Sequence, residues 1–165
     1  MLLRGCSLAM TEGAQSDAPV SFFVPGTALP AGSKRAFIVR DKATGRPRPV
    51  VTDTSGASGK RWRAAIQLAA GTARPNGPLT GPLSVVGTFI LPRPRAHYAA
   101  SGKLRMGAPI VSEVRPDLDK LGRMLLDALT GVVWRDDAQV ARLHLMKRYA
   151  GPNDTVGVQV SVMPL

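Results

Sequence analysis

The segment PDLDKLGRMLLDALT at residues 116–130 constrains the fold more than any other part of the chain. Its apolar residues recur every three or four positions, as they do in a helix with one buried face. That face consists of Leu118, Leu121, Leu125, Ala128 and Leu129. Gly131 follows at once and is a typical residue to end a helix. An apolar face of this kind needs a second apolar surface to cover it, so the rest of the chain must supply a sheet or another helix.

The remaining elements are predicted to be short strands and one further helix. Runs of β-rich or alternating residues predict strands at residues 20–24, 83–91, 138–149 and 156–163. A polar connection joins two further strand-like runs and predicts a β-hairpin with strands at 36–40 and 49–52. Residues 59–70 have the periodicity of an amphipathic helix. This order predicts a single α+β domain, a mixed β-sheet with two main helices packed on it.

The charge of the chain indicates an anionic partner. Its 165 residues include 22 Lys and Arg against 11 Asp and Glu, a net charge of +11. Such a balance favours nucleic acid or, less often, an acidic membrane surface. The apolar fraction of 44% is enough for a core. With one cysteine and two histidines, the chain has neither a disulfide framework nor a Cys-based zinc finger, and it lacks the HExxH motif of zinc proteases.

The sequence predicts two segments without regular structure. Residues 1–18 are expected to form a disordered leader in front of the domain at 19–165, with Met10 as an alternative start. Residues 92–115 are basic and irregular, which is typical of a mobile arm that orders on a polyanion. We find no secretory signal and no run of 18 apolar residues, so we expect a cytoplasmic protein without a transmembrane helix.

The acidic residues are concentrated in one region. Six of the eleven lie between Glu113 and Asp137. Carboxylates in a basic chain can hold a hard cation while Lys and Arg hold nucleic acid, as a metal-dependent nuclease requires. The same acids also have ordinary structural explanations, because Asp is common at helix starts and in turns. Asp127 shares a helical line with Arg123 and is predicted to form an ion pair with it.

Helix geometry limits which acids can meet. Asp117 and Asp119 point about 200° apart on an ideal helix, so they converge only if Asp117 occupies the cap. Asp136 and Asp137 follow the far end of the helix, about 21 Å from its start. They reach that start only if a partner subunit supplies the second acid, or if the chain doubles back after Gly131. The sequence leaves both alternatives open.

Three blocks of this region resemble the RusA family of Holliday junction resolvases, most closely its phage and prophage branch. The blocks are PDLDKL at 116–121, DAL at 127–129 and WRDDAQV at 134–140. The likeness extends from about residue 20 to the C-terminus. It includes the FVPG run at 23–26, the GSKR run at 32–35, the basic helix around Trp62 and the KRY run at 147–149.

The resemblance implies a homodimeric endonuclease that uses Mg²⁺, with Mn²⁺ as a substitute, and makes paired nicks in four-way DNA junctions in a bacterial or phage-infected cell. It also implies that Asp117, Asp119 and Asp137 are the essential metal-binding acids. Where the family has a catalytic lysine, this chain has Arg123. Arginine keeps the charge, but it cannot donate a proton at a comparable pKa. We therefore expect Arg123 to hold phosphate in the catalytic site or to offset the repulsion between its carboxylates.

Ten cations are predicted to contact the DNA backbone. They are Lys34, Arg35, Lys60, Arg61, Arg63, Arg93, Arg95, Lys120, Lys147 and Arg148. Two other functions stay open. A non-catalytic basic DNA-binding protein explains the charge but not the clustered acids, and a nuclease for branched DNA in general explains both.

Overall fold

The computed structural model describes residues 18–32, 34–53 and 56–165, with the backbone alone at residues 34, 35, 37 and 51–53. The predicted leader therefore lies almost wholly outside the described residues. Six strands and two α-helices follow one another in the predicted order. They are β1 (Val20–Pro25), β2 (Lys34–Arg40), β3 (Pro47–Asp53), α1 (Gly56–Ala73), β4 (Leu83–Leu91), α2 (Leu118–Leu129), β5 (Val140–Tyr149) and β6 (Gly157–Pro164).

The predicted mixed sheet is confirmed. Four strands pair in the order β1-β6-β4-β5. The β4–β5 pair is parallel, whereas β6 runs antiparallel to both β1 and β4. A parallel pair needs a crossover connection, and α2 lies within this one. The start of α2 at Leu118 and the start of β5 at Val140 are therefore separated by the length of the helix.

Both helices pack against the sheet around one hydrophobic core. Alternate residues of β4, including Val85 and Phe89, are buried together with Trp62 and Ile66 of α1. The predicted apolar face of α2 is confirmed. Leu121, Leu125, Ala128 and Leu129 are at most 1% exposed and Leu118 is partly buried against the core. The opposite face of α2 is left for the polar side chains.

Gly122 of α2 faces a side chain of β5. A Cβ atom there would lie 2.5 Å from Cδ1 of Leu145, and one on Gly87 of β4 would lie 2.8 Å from Cδ2 of the same leucine. Glycine inside a helix costs about 1 kcal/mol relative to alanine. Here the missing side chain leaves room for Leu145, so the two glycines allow α2 to lie close to the sheet.

Residues 92–115 differ from the expected mobile arm, because hydrogen bonds attach them to the domain. The guanidinium of Arg93 donates to the carbonyl oxygens of Ala150 (2.9 Å) and Pro109 (2.8 Å). It also lies 5.4 Å from the ring centroid of Tyr149, whose backbone N–H donates to Ile110 at 2.8 Å. A segment that looks like a loop in sequence is thus folded back onto the end of β5.

Strands β2 and β3 form a separate two-stranded ribbon. The predicted hairpin is confirmed, and none of its described residues belongs to the hydrophobic core. Within the described part of the chain, neither helix is long and apolar enough to cross a membrane.

Candidate active site

Asp117 occupies the N-cap of α2. Its backbone is extended (φ −68°, ψ 137°), and its side chain makes no capping hydrogen bond. The carboxylate instead accepts a hydrogen bond from Nζ of Lys120 at 2.8 Å, with both side chains nearly half exposed. This ammonium holds the pKa of Asp117 below its ordinary value, with smaller contributions from Arg115 and Lys147. The carboxylate is therefore ionised at neutral pH, and it lies outside the regular helix as its convergence with Asp119 requires.

Lys147 of β5 holds the chain that leads into this cap. Its ammonium donates to the carbonyl oxygen of Val114 at 2.8 Å and to that of Pro116 at 2.9 Å. Both acceptors lie within three residues of Asp117. Lys147 thus attaches the residues before α2 to strand β5.

A groove of about 520 Å³ runs along the polar side of α2. Its charged lining residues are Asp119, Arg123, Asp127 and Asp137. Gly122 and Leu126 of α2, with Leu143 and Leu145 of β5, form the apolar part of the wall. The groove therefore combines carboxylates, one guanidinium and an apolar floor, which is a lining suited to a cation and a phosphate together.

Asp137 is held in place by two buried or half-buried neighbours. Its Oδ1 accepts a hydrogen bond from Nε1 of Trp134 at 2.9 Å and another from the hydroxyl of Thr130. Trp134 is fully buried, and Thr130 is the C-cap of α2. Among the described residues no hydrogen-bond partner lies on Oδ2 of Asp137. One oxygen is thus anchored while the other is free to bind a ligand.

The neighbouring Asp136 does different work. Its carboxylate accepts from the backbone N–H of Ala138 at 2.8 Å and forms a capping box with Gln139, at the start of the short 3₁₀ turn Asp137–Gln139. The side chain of Gln139 also donates to the carbonyl of Leu79. Because of this turn, β5 begins at Val140, two residues later than predicted. Of the two adjacent acids, Asp137 faces the groove and Asp136 builds the turn.

The three nominated acids do not meet at one point within the described residues. Asp117 lines a neighbouring cavity with Arg115 and Lys120, not the groove. Asp137 is hydrogen-bonded to Thr130 at the end of α2. Thr130 follows Asp119 by eleven residues, which corresponds to about 16 Å along a helix axis. No three metal-ligating side chains of the described chain are close enough to hold one ion. As the sequence indicated, Asp137 of a single copy does not reach the acids at the start of α2.

The predicted Arg123–Asp127 ion pair is not formed. The ion pairs of the described residues are Lys120–Asp117 and Arg148–Asp154. Both Arg123 and Asp127 are exposed, and an exposed ion pair gains little over hydration of the separate charges. The Arg123 guanidinium is consequently not tied to a carboxylate beside the groove.

A basic pocket adjoins the groove at Asp127, which lines both cavities. The pocket has a volume of about 350 Å³ and lies between the start of α1 and the middle of α2. Lys60 and Arg63 line it, and Arg63 donates to the backbone carbonyl of Asp127. Arg61 is exposed on the same turn of α1. The acidic groove therefore has a cationic neighbour on the α1 side.

The ten cations nominated as DNA contacts fall into three groups. Lys34 and Arg35 have side chains outside the described atoms. The polar ends of Arg93, Lys147 and Arg148 bind groups of the protein itself, since Arg148 is paired with Asp154. Tertiary contacts thus engage these three side chains, and their contact with DNA stays a prediction. The other five side chains are exposed, namely Lys60, Arg61, Arg63, Arg95 and Lys120. Two of these five also bind the protein, since Arg63 donates to the carbonyl of Asp127 and Lys120 pairs with Asp117.

Sequence reasoning missed the residues that orient the acids. Thr130 and Trp134 were not nominated, although they hold Asp137. A signal was present, because a buried tryptophan needs an acceptor for its N–H and an Asp lies three residues after Trp134. The role of Lys147 had no such signal, since its acceptors are backbone carbonyls more than thirty residues away.

Comparison with known proteins places these features in a family. The family model described as "Endodeoxyribonuclease RusA" matches residues 30–162. The chain is also 28% identical over 121 residues to "Uncharacterized protein YqaN" of Bacillus subtilis (strain 168), a match that covers 66% of this chain and 81% of that protein. The family match takes in the hairpin, both helices and the whole acidic region.

Proposed function

Because the chain belongs to the RusA family of endodeoxyribonucleases, we propose that it resolves four-way DNA junctions by Mg²⁺-dependent hydrolysis of paired phosphodiester bonds. One observation carries the proposal: Asp119, Arg123 and Asp137 line a single groove in which one oxygen of Asp137 is anchored and the other is free. A protein that only binds DNA gains nothing from fixing carboxylates in a groove, because carboxylates repel the phosphates of the DNA.

The donor set fits a hard cation. Mg²⁺ prefers carboxylate oxygens, and it usually takes one or two of them together with waters and substrate phosphate. Asp119 is exposed in the groove and Asp137 has a free oxygen. Asp117, Asp119 and Asp137 would hold the ion in a site that two copies share. Mn²⁺ accepts the same donors. When bound, the ion supplies an activated water and offsets charge on the phosphate.

The remaining side chains of the site bind and orient the substrate. Arg123 is exposed in the groove and would hold the scissile phosphate through its planar guanidinium. Arginine stays protonated, so we assign it no proton transfer. Lys60, Arg61 and Arg63 would bind the flanking backbone beside the groove. The other cations proposed as backbone contacts are Lys34, Arg35, Arg95 and Lys120.

We propose that the working unit is a homodimer. A four-way junction has approximate two-fold symmetry, which a two-fold dimer matches. The distance between Asp119 and Asp137 in one copy supports a shared site, in which Asp137 of one copy completes the acids at the helix start of the other. Junctions would then be selected by shape and not by base sequence.

A pair of neighbouring substitutions tests the enzyme proposal. Asp137→Asn removes the groove carboxylate, whereas Asp136→Asn removes the same charge one residue away and keeps a residue that caps turns well. We expect Asp137→Asn to lower cleavage of a synthetic four-way junction by at least about 10²-fold, the size of effect seen when a group acting in the transition state is lost. Junction binding should survive in both variants, and Asp136→Asn should cut at close to the wild-type rate.

Three results would contradict the proposal. Wild-type protein that never cuts a junction with Mg²⁺ or Mn²⁺ would leave the non-catalytic DNA-binding function. Equal loss of cleavage in both variants would mean that cleavage depends on the negative charge of this turn and not on the position of Asp137 in the groove. Equal cutting of junction, flap, Y-fork and linear duplex would replace the resolvase by a nuclease for branched DNA in general or by an unselective one.

A further inference from the structure

The β2–β3 ribbon contributes none of its described side chains to the hydrophobic core. We call residues 34–53 the basic arm. Its strands pair with each other and with no other strand. Every described side chain at residues 42–49 is exposed, and so are those at 36 and 38–40. Seven residues per strand at about 3.3 Å each give a ribbon about 23 Å long. Ile38 and Val39 point to opposite faces of the ribbon, and both are exposed, as are their partners Pro49 and Arg48.

The arm carries more positive charge than its length predicts. It holds six of the 22 Lys and Arg in the chain but two of the eleven acids. Arg40, Lys42, Arg46 and Arg48 are all exposed. None of these four lines the groove or the basic pocket beside it.

The tip of the arm is an ordered turn. Oδ1 of Asp41 accepts from the backbone N–H groups of Ala43 and Thr44, both at 2.9 Å, and from the hydroxyl of Thr44 at 3.1 Å. The backbone N–H of Asp41 donates to the carbonyl of Arg46 at 2.9 Å. These bonds occupy the acid of the turn and lower its pKa, with the N–H of Thr44 the largest cause. Lys42 and Arg46 are thereby presented on a defined scaffold.

The chemistry of the arm favours a polyanion over another protein strand. Pro47 and Pro49 remove two backbone donors from β3, and proline on an exposed strand blocks the addition of a further strand. Exposed cations on a ribbon are suited to following a phosphate backbone, whose negative charges repeat along the duplex. A length of about 23 Å corresponds to about seven base pairs.

We propose that the basic arm is a second DNA-binding element, which contacts the phosphates of a duplex arm of the junction outside the acidic groove. This inference rests on the proposed function for the identity of the ligand. Its contacts are electrostatic, so they contribute to affinity and to its salt dependence, and they leave the chemical step in the groove unchanged.

A double substitution at the tip tests the arm. Lys42→Gln/Arg46→Gln removes two charges from the turn, and Lys103→Gln/Arg142→Gln removes two exposed charges elsewhere on the protein. Binding to a four-way junction is measured without divalent cations from low to moderate salt. Each phosphate contact contributes about 0.9 to the slope of log K against log salt. We expect the slope of the tip variant to fall by about 1.8 and that of the control to stay near wild type. At saturating junction, the tip variant should cut at the wild-type rate.

The outcomes separate the arm from the active site. A wild-type slope in the tip variant, or an equal fall in both variants, overturns the arm proposal even if the wild-type protein cuts junctions. A fall confined to the tip variant supports the arm even if wild-type protein never cuts, in which case only the proposed function fails. If the tip substitutions weaken binding to phosphatidylserine vesicles but not to DNA, the arm binds membranes and the proposal is wrong. Equal thermal unfolding midpoints establish that each variant is folded.

Discussion

Lys147→Met tests whether a residue outside the groove sets the position of an acid within the site. The substitution keeps the length and apolar stem of the side chain but removes the ammonium that binds Val114 and Pro116. Each hydrogen bond from a charged donor is worth about 1.5–3 kcal/mol. Val114 is exposed, so water replaces part of the loss, and we expect the free energy of unfolding to fall by about 1–3 kcal/mol.

The effect on activity should be larger than the effect on binding. Lys147 ties the chain entering α2, so its loss lets Asp117 shift. A misplacement of about 1 Å in a reacting group can cost about 10²-fold in rate. We expect kcat on a saturating junction to fall by about 10- to 100-fold while the binding constant and its salt slope stay close to wild type. Lys147→Arg, which keeps a donor, should recover part of the rate.

Lys103→Met is the matched control, because Lys103 is exposed and lies outside the site. It should change neither stability nor kcat. The reasoning is refuted if Lys147→Met cuts at the wild-type rate under saturation but binds with a salt slope shallower by about 0.9. That result is the signature of one lost phosphate contact, and it would identify Lys147 as a DNA contact.

Two further predictions concern the fold and the subunit arrangement. Gly157→Ala should destabilise the domain by several kcal/mol in a thermal or denaturant unfolding experiment, because a Cβ would lie 2.2 Å from the carbonyl oxygen of Val24. Gly71→Ala is the contrasting substitution, since a Cβ there would meet no atom within 4 Å. It should stabilise α1 by up to about 1 kcal/mol. Mixing Asp119→Asn with Asp137→Asn protein should restore junction cleavage that neither variant shows alone, if the acids come from two copies. An inactive mixture in which mixed dimers are demonstrated would assign all the acids of a site to one copy.

The parts of the fold that follow from local periodicity could be predicted from the sequence. The buried face of α2 is an example, because residues three and four apart face the same way in any helix. Leu125 is therefore buried whatever covers it. The docking of residues 92–115 could not be predicted, since it depends on Arg93 meeting carbonyl groups that only the folded chain brings near.

The candidate site shows the same division. The family blocks nominate Asp137, and its position beside α2 supports that choice over Asp136. Which cations also make tertiary contacts could not be read from composition, and Lys147 and Arg148 are two of them. A basic sequence records how many cations a chain has, whereas their hydrogen bonds decide how many of them a ligand can reach.

The separation of the acids connects the charge of the protein to its proposed chemistry. A Mg²⁺–oxygen bond is about 2.1 Å long, so one ion cannot touch Asp119 and Asp137 at opposite ends of α2. Sharing the site between copies removes that difficulty, but two chains of net charge +11 repel each other. A junction supplies the missing counter-charge, since its phosphates can lie between the basic surfaces of both copies. Under the proposed function, the branched substrate therefore offsets the repulsion between the two copies that share the site.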